Sequence, residues 1–147
     1  MRMHFTSNPT GDPPVDGYSL LHARLTVECR VAFAAHVNLL LIGPRPLTQS
    51  VVNELWRPDP AYVWSPGQPL TLPVGGGRVF LHDVGHLTRD DQQQLRQWLE
   101  SELQRAQVVS TSPSPLMLRV AARAFDEALY YRLNTICVNA EEFAEEL

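Results

Sequence analysis

Apolar side chains recur along this chain in two spacings, one typical of helices and one typical of buried strands. Residues 18–35 carry them three and four positions apart, which predicts an amphipathic helix. A continuous apolar run at residues 37–42, interrupted by Asn38 and ended by Gly43, predicts a buried strand near the centre of a parallel sheet. The folded part of the chain is therefore expected to begin with a helix and a central strand.

The same two spacings predict further elements. Helical patterns occupy residues 47–56, 88–106 and 116–124, and an apolar segment follows at 129–134. Short apolar runs predict strands at residues 61–64, 79–81, 107–110 and 135–138. The helix at 88–106 is rich in glutamine, and we expect its outer face to be solvated.

Length and charge limit the class of protein. The 147 residues suit one domain, which we place at 18–140, between a flexible proline-rich lead-in at 1–17 and an acidic tail at 141–147. A formal net charge of -4 argues against a nucleic-acid-binding surface, so no specific DNA binding is expected. Without a long apolar run or a signal-peptide core, we expect a cytoplasmic protein with no membrane contact, in which Cys29 and Cys137 are free thiols.

The stretch at residues 74–87, V-G-G-G-R-V-F-L-H-D-V-G-H-L, holds the most informative polar residues. A glycine turn leads into an apolar run, and His82 and Asp83 follow directly before a second break at Gly85. Ligands of open α/β sheets bind beyond the carboxyl ends of the strands. His82 and Asp83 therefore mark the place where chemistry is expected.

Two blocks of this sequence resemble a known family. The block G-G-R-V-F-L-H-D-V-G-H-L resembles the Walker B region of the AAA+ domain of sigma-54-dependent transcription activators, usually G-G-T-L-F-L-D-E-I-G-E-L. Residues 125–134, F-D-E-A-L-Y-Y-R-L-N, are similar to the family's F-R-E-D-L-Y-Y-R-L-N. The resemblance covers residues 21–138. It implies a three-layer α/β/α P-loop NTPase-like domain with a parallel sheet of about five strands, and we expect it to lack the family's helical lid.

The resemblance places the phosphate-binding loop at residues 43–50, G-P-R-P-L-T-Q-S, where this chain departs from the family. Such a loop needs glycines, which let backbone N–H groups approach phosphate, and a lysine for the outer phosphates. Pro46 and Thr48 replace the two later glycines, and Gln49 stands at the lysine position. Pro44 and Pro46 also have no N–H to donate.

The alternative interpretation of this loop is a plain strand-to-helix turn. In that interpretation Thr48 or Ser50 caps the next helix. Arg45 carries a positive charge, but because it stands before the helix it is a poor substitute for the missing lysine. The residues of the degenerate nucleotide site implied by the resemblance are Gly43, Arg45, Thr48, Gln49, Ser50, His82 and Asp83.

The acidic pair of the Walker B region is altered as well. His82 replaces the carboxylate that holds magnesium in the family, and Asp83 is one carbon shorter than the glutamate that positions water. Magnesium prefers oxygen ligands, so a neutral imidazole is a poor substitute. The alternative that His82, Asp83 and His86 bind zinc has a loose spacing and no fourth ligand nearby. We therefore expect no metal, and neither ATP nor magnesium as a cofactor.

Later positions of the family pattern also differ. The asparagine that senses the γ-phosphate falls on Pro113, which cannot make that contact. Of the arginines that act on a neighbouring subunit's nucleotide, the first has become Asp126. The second matches Arg132, for which we expect a structural ion pair. Phe125, Tyr130 and Arg132 form the candidate docking patch, because aromatic residues and arginine dominate binding hot spots.

The connection at residues 65–74 is too short for the family's sigma-factor loop, and its motif G-A-F-T-G-A is absent from the chain. These departures predict that the domain is not an enzyme. We expect a regulatory protein–protein interaction module in transcription regulation or signalling. It should be a monomer or dimer whose partner is a complete sigma-54 activator or another transcription or signalling component. The alternative is a sensor that binds nucleotide without hydrolysing it.

Overall fold

A computed structural model describes residues 5–6, 15–55, 61–75, 77–101 and 106–145. The strands in these ranges are β1 (Phe5–Thr6), β2 (Val15–Asp16), β3 (Leu39–Ile42), β4 (Ala61–Trp64), β5 (Gly77–Leu81), β6 (Ala106–Ser112) and β7 (Ile136–Asn139). The α-helices are α1 (Gly17–Ala34), α2 (Arg45–Leu55), α3 (Arg89–Ser101), α4 (Met117–Ala121), α5 (Glu127–Leu133) and α6 (Ala140–Ala144). A 3-10 turn at Val84–His86 follows β5.

Five of the strands form one parallel sheet in the order β4-β5-β6-β3-β7. Strand β3 lies between β6 and β7, and all four of its residues are buried. The predicted parallel sheet of about five strands is confirmed, and β3 is an interior strand as its apolar run indicated. Strands β1 and β2 form a separate antiparallel pair within the predicted lead-in.

Each face of the sheet carries its own hydrophobic core. Because side chains alternate along a strand, Leu39 and Leu41 of β3 face one core, and Leu40 and Ile42 face the other. Helices α1 and α2 cover the first face, and α3 and α5 cover the second. The sheet therefore lies between two helical layers, which confirms the three-layer α/β/α fold.

Several element boundaries differ from the prediction. Helix α2 begins at Arg45 rather than at residue 47, and β6 continues to Ser112. The acidic residues Glu141 and Glu142 belong to helix α6. Thr88 caps α3, since its Oγ1 accepts a hydrogen bond from Asp91 N at 3.1 Å. Residue 56 of the predicted helix 47–56 and residues 102–105 of the predicted helix 88–106 lie outside the described residues.

A buried glutamine joins the sheet to the end of α1. Gln107 of β6 is fully buried, and its Nε2 donates to the carbonyl oxygens of Val37 at 2.9 Å and Ala32 at 3.3 Å. Its Oε1 accepts from Arg78 Nε at 2.9 Å. The guanidinium of Arg78 lies 3.9 Å from the ring centroid of Phe33. Carbonyls at a helix C-terminus lack partners within the helix, and this side chain supplies one.

Within the described residues, no helix is both long enough and apolar enough to cross a lipid bilayer.

Candidate functional site

The carboxyl ends of β3, β6 and β7 border a cavity of about 310 Å³, on the sheet edge where the resemblance places nucleotide. Gly43 lies at the end of β3, and its N–H donates to Ser112 O at 3.0 Å. The residues that line the cavity are Ile42, Gly43, Pro44, Pro113, Ser114, Pro115, Asn139 and Glu141. The altered loop and the altered sensor position therefore meet at one place.

The lining of this cavity has the opposite chemistry to a phosphate site. Such sites present backbone N–H groups and cationic side chains to the ligand. Here Pro44, Pro113 and Pro115 have no N–H, and Glu141 contributes a carboxylate. Neither lysine nor arginine is among the lining residues. A polyanion entering the cavity would meet few donors and a negative charge.

The loop after β3 is a helix start rather than an open cradle. The N–H groups of Leu47 and Thr48 both donate to Pro44 O at 3.0 Å, which closes the first turn of α2. Pro44 and Pro46 have no N–H. The N–H groups of Gly43, Leu47 and Thr48 are thus already bonded within the chain, and the two prolines have none to offer.

The side chains of the predicted loop site do not converge. Thr48 is buried with its Oγ1 3.3 Å from Arg45 O, whereas Arg45, Gln49 and Ser50 are exposed. Because α2 begins at Arg45, Thr48 and Ser50 both lie inside the helix. The prediction that one of them caps α2 is wrong. A proline in the first helical turn is common, since its fixed φ suits a helix and its missing N–H costs nothing there.

Gly43 is required by packing. A Cβ at this position would lie 2.9 Å from the Cβ of Ala140, closer than two such atoms approach. Ala140 is fully buried and is the first residue of α6. Helix α6 therefore packs directly against Gly43, the residue at which a phosphate-binding loop would begin.

His82 and Asp83 follow β5 as predicted. Burial lowers the pKa of the His82 imidazole, the charge of Arg45 lowers it further, and Asp83 partly opposes both. Asp83 has a left-handed backbone with φ of 52°, and its N–H donates to Thr111 Oγ1 at 3.1 Å.

The described part of the chain contains no group of three or more His, Cys, Asp and Glu placed to hold a metal ion, so a zinc site at His82, Asp83 and His86 is not supported.

The lowered pKa of His82 predicts a pH effect on stability. Its folded-state pKa lies below the ordinary value of 6.5, so below that pH the unfolded chain binds more protons than the folded chain. Stability should therefore fall as the pH drops through this region. We expect His82→Gln to lose less stability than the wild type between about pH 8 and about pH 5 in urea denaturation. His36→Gln, at an exposed position, is the control, and equal losses in His82→Gln and the wild type would contradict the expectation.

The candidate docking patch does not lie together on the surface. Phe125 is 4% exposed and belongs to the core, so it cannot contact a partner. Arg132 Nη2 lies 3.6 Å from Glu100 Oε1, the kind of ion pair predicted for it. Tyr130 is half-buried and packs edge-on against Tyr131, whose side chain is 58% exposed. Of the three candidates, Tyr130 and Arg132 remain partly accessible, and Tyr131 joins them.

Asp126, which stands where the family has its first arginine, has a structural role in this chain. Asp126 caps α5, since its Oδ1 accepts from Leu129 N at 2.7 Å. Its own N–H donates to Oε1 of the buried Gln92 at 2.8 Å, and Gln92 Nε2 donates to Leu87 O at 2.9 Å and Ala124 O at 3.2 Å. The sequence did not single out Gln92. The one sequence signal for its burial is that Gln92 stands three positions before Leu95, which places both residues on the same helix face.

Comparisons with known proteins agree with this fold. The model of the sigma-54 interaction domain family matches residues 65–142. NtrX from Brucella abortus in complex with ATP is 17% identical with a TM-score of 0.58, covering 84% of this chain and 36% of that one. A chain of Drosophila ORC bound to DNA is 11% identical with a TM-score of 0.58, covering 84% and 91%. No curated protein sequence matches.

The match thus spans about one third of the length of the NtrX chain. A further similar structure is a mutant of RuvB from Thermotoga maritima, 15% identical with a TM-score of 0.50, covering 82% of this chain and 44% of that one. At these identities the structures establish the P-loop NTPase-like fold.

Proposed function

Because the chain belongs to the family of sigma-54 interaction domains, we propose that it is a catalytically inactive member that acts as a regulatory protein–protein interaction module. The lining of the 310 Å³ cavity at the sheet edge is the observation that carries this proposal. Where a triphosphate would need donors and positive charge, the lining offers Pro44, Pro113, Pro115 and Glu141.

Electrostatics argues against nucleotide at this edge. A triphosphate carries several negative charges, which must be offset when the site excludes water. Gln49 is neutral and exposed, and burial favours the neutral form of His82. Glu141 would repel the phosphates. Freeing the N–H groups of Leu47 and Thr48 would break the first turn of α2.

The framework that remains is intact. Both cores are continuous, and the altered positions have acquired structural contacts, such as the cap that Asp126 provides. A well-packed domain without chemistry is a scaffold for contacts with other proteins. Its family membership makes a complete sigma-54 activator, or another transcription or signalling component, the partner that we propose.

The proposal is tested by calorimetric titration with ATP at millimolar magnesium, and by an ATPase assay of the chain alone. We expect no saturable heat and no hydrolysis above background. The double variant Gln49→Lys, His82→Asp should also be inactive, because the prolines and Glu141 remain. Micromolar affinity without turnover would favour a nucleotide sensor, and turnover would overturn the proposal.

The same assay tests the interaction. The chain is added to a complete sigma-54 activator whose own hydrolysis is followed. A change in the activator's rate that saturates with added chain is expected for a regulatory module. An unchanged rate at a large excess of the chain, together with no co-elution of the two proteins, would contradict the regulatory role.

A further inference from the structure

A second cavity, of about 500 Å³, lies between α3 and the connection from α4 to α5. It shares no lining residue with the cavity at the nucleotide edge. The charged residues among those that line it are Arg89, Arg96, Arg123, Asp126 and Glu127. This arginine cleft therefore has more positive than negative side chains, in a chain whose formal net charge is -4.

Arg96 has two carboxylates within ion-pairing distance, Asp126 and Glu100, the latter 4.0 Å from its Nη1, whereas the other two guanidinium groups are less well neutralised. Arg96 Nε lies 3.8 Å from Asp126 Oδ2, and this buried atom makes no hydrogen bond within the described residues. Arg89 Nη2 reaches Arg123 O only at 3.5 Å. Among the described residues, neither Arg89 nor Arg123 has a carboxylate partner within ion-pairing distance. Guanidinium N–H donors and positive charge are therefore available to a ligand.

The two carboxylates of the cleft are not equally available to repel an anion. Asp126 accepts a hydrogen bond from Leu129 N at 2.7 Å and lies beside Arg96. Its charge is therefore already offset by the N-terminus of α5 and by a guanidinium. Glu127 remains as the one opposing charge among the lining residues, against two arginines without carboxylate partners in the described part of the chain.

The backbone at Arg123 is a second observation. Its φ of 61° is left-handed, a conformation that favours glycine and is uncommon for long side chains. This conformation ends α4, since Arg123 N donates to Val120 O at 3.0 Å and Ala124 N donates to Arg119 O at 2.8 Å, a helix cap in which glycine is usual. The cap does not need an arginine, so the charge that this residue adds to the cavity lining is the feature left to explain. Glycine would satisfy the backbone equally well, and only the side chain would be lost.

We propose that the arginine cleft binds a phosphate group, carried by a small molecule or by a phosphorylated side chain. Guanidinium groups donate paired hydrogen bonds that match phosphate oxygens. A phosphate monoester gains more than a single carboxylate from a positive field, because it bears nearly two charges and three acceptor oxygens. The inference does not depend on the state of the nucleotide edge.

The test is a titration of the isotope-labelled full chain with inorganic phosphate, followed by NMR of backbone amides and arginine Nε–H groups. Saturable shifts are expected for the resonances of Arg89, Arg96 and Arg123. Arg123→Gly is the decisive variant, since it removes the charge and relieves the backbone, so its melting temperature should not fall. We expect it to weaken phosphate binding at least about tenfold. Arg30→Gln, on exposed α1 surface, is the control and should bind like the wild type.

Further titrations, with peptides, identify the kind of molecule that carries the phosphate. A phosphoserine peptide that binds more tightly than inorganic phosphate indicates a phosphorylated protein, whereas equal affinities indicate a small phosphate compound. Either result supports the cleft. An absence of saturable shifts, unchanged binding by Arg123→Gly, or equal binding of a glutamate peptide without phosphate would overturn the proposal.

Discussion

Replacing Gln107 with alanine is expected to lower the free energy of unfolding by about 3 kcal/mol, because it removes several hydrogen bonds of one fully buried side chain at once. The carbonyls of Ala32 and Val37 lose a donor, and Arg78 Nε loses its acceptor. The cavity left by the side chain adds to the loss.

Urea denaturation followed by circular dichroism measures this effect. Gln97→Ala, at an exposed position of α3, is the matched control and should change stability by less than about 0.5 kcal/mol. Gln107→Leu separates packing from hydrogen bonding, since it fills the space but supplies no donor to the carbonyls. If Gln107→Ala behaved like Gln97→Ala, the buried network would contribute nothing.

Gln92→Ala is expected to cost about 2–4 kcal/mol for a related reason, the loss of three hydrogen bonds made by one buried side chain. Its Nε2 joins Leu87 O to Ala124 O, and its Oε1 accepts from Asp126 N. The change therefore loosens the start of α3 from the segment that precedes α5. Hydrogen exchange at the Asp126 amide should speed up more than exchange in β3.

The same exposed control, Gln97→Ala, applies to this variant. Gln92→Met keeps most of the volume and still removes the bonds, so it should lose nearly as much stability as Gln92→Ala. A stable Gln92→Met protein would mean that the side chain acts mainly by filling space.

The sheet could be predicted from sequence because its strands are short, apolar runs, and because two blocks carry the family pattern. The start of α2 could not be predicted from sequence, because prolines such as Pro44 and Pro46 are typical of loops. In the structure Pro46 lies in the first helical turn, where proline is well tolerated. The pattern predicts that the strand ends at Ser110 because the residues that follow are polar, yet Thr111 and Ser112 continue β6 and are buried.

Of the seven residues predicted for the degenerate nucleotide site, one, Gly43, lines the cavity at the sheet edge. Local sequence located His82 and Asp83 after a strand, and they do lie there. It could not show that helix α6 would contact Gly43, or that Phe125 would be enclosed in the core. Gln92 and Gln107 were missed for the same reason. Glutamine is mostly exposed in proteins, and only tertiary contacts reveal the acceptors that make its burial favourable.

The order β4-β5-β6-β3-β7 has a consequence for the growing polypeptide. Strands β4, β5 and β6 are neighbours in both sequence and sheet, so they can pair as they are made. The apolar strand β3 must wait for β6 and β7, and β7 is the last of the sheet's five strands to be synthesised. Such distant pairings form slowly and leave apolar surface exposed in the meantime. A nascent chain that stops before β6 therefore presents Leu39–Ile42 without a partner, which makes it a substrate for chaperones and prone to aggregate.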